Sequence, residues 1–110
     1  MLKRPFTTKE KLEEIAREIP TPFHIYDEKG IRDNIREIYK AFSWNPGFRE
    51  YFAVKAEPNP VILKLLKEEG CGCDCSSLTE LMMSKAIGSA SFVTMFKVPL
   101  IVYVAPMRWQ

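Results

Sequence analysis

Along the chain, apolar positions recur first at helical spacing and then at strand spacing. Leu12, Ile15, Ala16 and Ile19 fall three or four residues apart ahead of Pro20, which predicts a helix. Thr7 and Glu10 have capping-box spacing, so the helix is expected to open at Thr7. "TPFHIYD" reads as a short extended piece ending at Asp27, an N-cap residue for the next helix. Ile31, Ile35, Ile38, Tyr39 and Phe42 give that second helix a single apolar stripe. "SWNPG" reads as a turn.

Two strand-then-helix units follow. "EYFAVKA" is short and apolar, as a buried strand is, and "NPVILKLLKEEG" is a helix with Asn59 as cap, Pro60 at the first position and Gly70 as stop. "CGCDCS" predicts the second strand. Ser77 and Glu80 again have capping-box spacing and open a helix through "LTELMMSKAIG" to Gly88. This alternation predicts an α/β protein with βαβ connections and a parallel sheet. Parallel strands end on one shared rim, where α/β folds collect their sites. Alternation then sorts the side chains. Tyr51, Ala53 and Lys55 share one face with Gly72, Asp74 and Ser76, while Phe52, Val54, Cys71, Cys73 and Cys75 take the other. One face carries an amine, a carboxylate and a hydroxyl. The other is a helix-packing surface.

A lysine at the end of a buried strand has a chemical use. Desolvation penalises its charged form and frees the amine to form a Schiff base with an aldehyde. Position alone favours the plainer alternative, a lysine just clear of the strand and reaching solvent.

Composition excludes several classes. A length of 110 residues with 46% apolar and 27% charged side chains suits one small soluble domain. A net charge of +2 gives no reason to expect nucleic acid or an anionic membrane as partner. The charged opening "MLKRPFTTKEKLEE" has no signal-peptide pattern, so a cytoplasmic setting is expected. Three cysteines within five residues are no disulfide framework. On a strand they project to one side without the angles of a tetrahedron, so no metal site is expected. His24, Met82, Met83, Phe42, Trp44 and Phe48 read as structural, and Lys64 and Lys67 as a solvated helix face.

With those residues in view, "YFAVKAEPNPVILKLLKEEGCGCDCSSLTELMMSKAIG" resembles the N-terminal part of the fold-type III decarboxylases, the pyridoxal-phosphate enzymes acting on diaminopimelate, ornithine and arginine. Ala53, Val54, Lys55, Ala56, Asn59 and Pro60 match the first family motif, and Gly72, Asp74, Ser77 and Glu80 match the second. "TPFHIYDEKGIRDNI" resembles the family's opening segment. The resemblance implies the start of an alanine-racemase-like TIM (β/α)8 barrel, truncated here to about three βα units. It implies that Lys55 holds pyridoxal 5'-phosphate as a Schiff base and that Asp74, beside the cofactor, orients or pairs with the lysine. Glu80 is divided evenly between a site role and its capping role. Glu57 stands where the family has asparagine or a small residue, and a solvated position is expected for it. The implied reaction is decarboxylation of a diamino or basic amino acid, meso-diaminopimelate to lysine first, with ornithine or arginine as alternative. A racemase-like barrel fits the motifs less well.

The resemblance also implies an organisation. Residues 1–20 form an N-terminal helix, 21–88 the first part of the cofactor-binding barrel, and 89–110 an apolar tail that does not match the family. That tail contains no acid and only Lys97 and Arg108 as bases. A barrel takes roughly 250 residues, so the expectation is a truncated reading frame, shifted after Gly88, and a chain inactive by itself. The phosphate-binding loop, and the partner residues that complete each site in the family's homodimers, lie beyond it. A non-catalytic fragment or interaction protein is the alternative from another class.

Overall fold

In the computed structural model, residues 4–89 are described in full, and 92–98 and 101–106 by their backbone. The first helix, α1 (Lys9–Glu18), is capped by Thr8, whose Oγ accepts from the Lys11 N–H at 3.3 Å. The cap is therefore one residue later than the Thr7–Glu10 spacing suggested. No residue of α1 is buried. Asp27 caps α2 (Glu28–Ala41) as expected, accepting from the Gly30 N–H at 3.0 Å.

The first strand, β1, spans only Tyr51–Ala53, and Val54–Ala56 then tightens into a 3-10 turn. The longer strand expected over 50–56 is corrected here. Val54, the first residue of that turn, is fully buried with Leu63, Cys73 and Cys75. Asn59 caps α3 (Pro60–Glu68) through its side chain, with Pro60 at the tolerated first position. The chain leaves α3 through Gly70, whose φ of +94° is a conformation that side chains resist. Strand β2 (Gly72–Cys75) follows, then Ser77 caps α4 (Leu78–Ala86).

Strands β3 (Phe92–Val98) and β4 (Ile101–Pro106) complete one sheet in the order β1-β2-β3-β4. The β1–β2 and β2–β3 pairs are parallel, joined through α3 and α4. The β3–β4 pair is antiparallel, with Val98 opposite Ile101, because so short a connection cannot make a parallel crossover. The helix-then-strand alternation of the first two units thus stops at β3.

The core lies between the sheet and its helices. Val54, Leu63, Cys73 and Cys75 form one cluster, against which Leu81, Met83 and Ile87 of the α4 segment pack. Ile35, Ile62, Leu66 and Cys71 form a second beneath α2. Phe52 packs against both. The expected division of faces therefore holds for the cysteines. Met82 is an exception to the expected pair, since it is exposed while Met83 packs inward.

Salt bridges tie α2 to the end of α3. Arg32 reaches Glu68 and Glu69 at 2.8 Å, and Arg36 meets Glu69 at the same distance. Lys67 is more than a solvated side chain. Its Nζ donates to the Ile87 carbonyl at 3.1 Å, joining α3 to the end of α4.

Candidate active site

The two site residues read from the sequence come from successive units at the same end of the sheet. Asp74 is the third residue of β2 and pairs in register with Ala53 of β1. Its neighbours Cys73 and Cys75 are buried on the helix side, so alternation turns Asp74 to the opposite face, where it is half-buried. Lys55 lies two residues beyond Ala53, in the 3-10 turn, and is exposed. The expectation that a buried strand encloses the amine is thus corrected. Once the strand ends at Ala53, strict alternation no longer applies to Lys55, which is exposed.

The start of α4 closes this rim. Ser77 Oγ accepts from the Glu80 N–H at 3.3 Å and donates to its carboxylate at 2.6 Å. Ser76 Oγ donates to the same carboxylate oxygen at 3.1 Å. These donors, the Ser77 hydroxyl foremost, hold the Glu80 carboxyl below its ordinary value, and the main chains of Ser76 and Lys55 add to the effect. Glu80 is therefore an anion at neutral pH. The even division between cap and site leaves out this double-serine arrangement, for which the Ser76-Ser77 doublet was the available signal.

Other candidates lie elsewhere. Glu57 is half-buried and helps line a groove of about 400 Å³ between α2 and β1, alongside Tyr26, Glu50 and Phe52. His24 is exposed, its ring 6.5 Å from that of Tyr26. Phe42 and Phe48 stack at 4.3 Å, whereas Trp44 stands 76% exposed and covers no core. Burial pushes the thiols of Cys71 and Cys75 up to about 11, so both are protonated at neutral pH and suited to packing. Among the described residues no helix is long and apolar enough to cross a membrane.

The residues at the rim fit an aldehyde cofactor. An accessible primary amine suits a carbonyl group, and an acid on the adjoining strand suits the amine.

Comparison with known proteins bears on this rim. The family described as "Pyridoxal-dependent decarboxylase, pyridoxal binding domain" matches residues 28–107, a span that includes Lys55, Asp74 and Glu80 and continues beyond Gly88. "Protein TabA" of Pseudomonas amygdali pv. tabaci is 51% identical over 78 residues, covering 71% of this chain and 18% of that protein. A diaminopimelate decarboxylase of Methanothermobacter thermautotrophicus is 38% identical over 76 residues, covering 68% of this chain and 18% of the relative. The crystal structure of ornithine decarboxylase from Entamoeba histolytica superposes with a TM-score of 0.66 at 31% identity, over 80% of this chain and 29% of that one. The chain thus spans about a fifth of the length of these curated relatives.

Proposed function

Because this chain belongs to the pyridoxal-binding domain family of the pyridoxal-dependent decarboxylases, we propose that it supplies the cofactor amine of such an enzyme through Lys55. The observation that carries the reading is the exposed Lys55 amine at the exit of β1, with Asp74 on the adjoining strand end. Pyridoxal 5'-phosphate, when bound, supplies an electron sink for the charge left as a carboxylate departs as carbon dioxide.

The chain's own residues then have separate tasks. Lys55 would hold the cofactor's aldehyde group through its ε-amine, and that amine, when free, could hold a proton. Asp74 offers a carboxylate on the sheet face away from the helices, where it orients the lysine or pairs with it. The 3-10 turn keeps Lys55 out of the packed core, so its amine is accessible to an incoming carbonyl.

The substrate we assign is a diamino or basic amino acid, meso-diaminopimelate ahead of ornithine or arginine. Diaminopimelate decarboxylases among the relatives support the first choice, and the ornithine decarboxylase fold supports the second. The free thiols favour a reducing, cytoplasmic setting. A second reading rests on β1 lying at an edge of the sheet. In it, the chain pairs through that edge with a longer family member and turns over no substrate alone. Size-exclusion chromatography with such a homologue separates the two.

The direct test is borohydride reduction in the presence of pyridoxal 5'-phosphate, followed by peptide mass spectrometry. A pyridoxyl group on Lys55, absent from Lys55→Ala, supports the assignment. A modification confined to other lysines refutes it. Carbon dioxide release from each candidate amino acid then ranks the substrates.

A further inference from the structure

Two uncovered surfaces of the chain match in chemistry. The first belongs to α1. No residue of that helix is buried, although Leu12, Ile15, Ala16 and Ile19 lie along one stripe, and Leu12 and Ile19 are exposed. A helix of 10 residues is too short to be stable through its own hydrogen bonds, so the stripe needs a surface to pack on. At about 3.6 residues per turn, the side chains bordering the stripe near its start are Lys9 on one side and Lys11 on the other. Glu10, Glu14 and Arg17 fall on the far face. The two lysines pair only with exposed acids of their own helix, Glu13 and Glu14, an arrangement worth little in solvent.

The second surface is the groove of about 400 Å³ between α2 and β1. Ile31, Ile38, Phe52 and Ile62 supply apolar walls, and the half-buried Glu50 and Glu57 add carboxylates. Among the described residues, neither carboxylate has an ion-pair partner. Phe52 is in register with Cys73, so the groove opens on the helix side of the sheet, the face opposite to Asp74. Such a groove suits a helix with cations beside its apolar face, and α1 is such a helix. Its own α1 does not fill it. Pro20 and Pro22 restrict the backbone between α1 and Tyr26 to extended forms and hold the helix away.

We propose that the groove receives α1 of a second copy of this chain, the two copies exchanging helices about a two-fold axis. Leu12, Ile15 and Ile19 then pack on the apolar walls, while Lys9 and Lys11 meet Glu50 and Glu57. One short helix makes a small interface, and reciprocal exchange doubles it. A strand added to the β1 edge would leave the α1 stripe bare. The inference stands apart from the reading of Lys55, because neither surface includes the Lys55–Asp74 rim.

Sedimentation velocity and zero-length crosslinking test it on the whole chain. A carbodiimide joins a lysine amine to a carboxylate only where the two touch. In a mixture of isotopically light and heavy chains, peptides carrying Lys9 or Lys11 of one label should join peptides carrying Glu50 or Glu57 of the other. Leu12→Glu should weaken dimerisation about tenfold or more, with the fold kept because α1 buries nothing. Lys9→Glu with Lys11→Glu should weaken it as well, and adding Glu50→Lys and Glu57→Lys should restore it.

A chain that is monomeric at every concentration overturns the proposal. Crosslinks confined to one label do the same, since they place α1 on its own groove. A dimer indifferent to Leu12→Glu also overturns it and points to the β1 edge instead. Should the Glu50→Lys, Glu57→Lys variant fail to fold, the wild-type crosslinks and Leu12→Glu decide.

Discussion

Asp74 stands in register with Ala53 across the parallel β1–β2 pair, two residues before the chain reaches Lys55. Adjacent in-register residues of a sheet share a face, so the acid is anchored by two strands and the amine by a turn. Asp74 also pairs with Val93 of β3, which leaves its backbone fixed on both sides. Replacing its side chain should therefore perturb chemistry more than structure. Asp74→Asn is expected to weaken pyridoxal 5'-phosphate trapping at Lys55 about tenfold, the scale of one charge-assisted hydrogen bond. Circular dichroism should remain that of the parent.

The acid limb of stability should report Glu69. Hydrogen bonds from Arg36, then Arg32, hold its carboxyl below the ordinary value of 4.5. A lowered folded value means that the pairing contributes fully above the unfolded value. The contribution fades as pH falls through the folded one. Urea midpoints measured from about pH 5 down to about pH 2 should drop less steeply in Glu69→Gln than in the parent. The same variant should be less stable at neutral pH, and added salt should narrow the difference.

Thiols give the opposite sign at high pH. Burial raises Cys71 and Cys75 from 9.0 to about 11, so the unfolded chain loses these protons first. Stability should fall as pH climbs past the lower value and level off beyond the upper one. With a thiol reagent near neutral pH, both residues should react slowly in the native chain and promptly in urea.

Gly70 and Gly47 make a matched pair. Gly70 has a φ of +94°, whereas a Cβ on Gly47 would meet only Asn45 Oδ1, at 3.4 Å. Gly70→Ala should cost about 1–2 kcal/mol, since side chains resist that backbone region. Gly47→Ala should change stability by under about 0.5 kcal/mol. Paired urea denaturation curves check both.

The order of helices and strands was legible because each carried a local signal. Asp27, Asn59 and Ser77 mark helix starts by accepting from backbone N–H groups close by in sequence. Cys73 and Cys75 were assignable to the packed face because alternation holds wherever a strand is paired. Lys55 was misjudged in its surroundings for the same reason. Alternation was carried past Ala53, where the strand gives way to a 3-10 turn. The Thr7 cap failed by one residue because two adjacent threonines compete and spacing alone cannot choose.

By itself, the sequence determined what short-range physics controls: where helices begin and stop, which strand positions alternate, and which two motifs carry an amine and an acid. Only the folded arrangement decided what depends on distant groups meeting. It ended β1 early, left Lys55 exposed, locked α2 to α3 through Arg32, Arg36 and Glu69, and joined α3 to the end of α4 through Lys67. Those contacts join residues from different elements, and their energies exist only once the sheet and its helices have assembled.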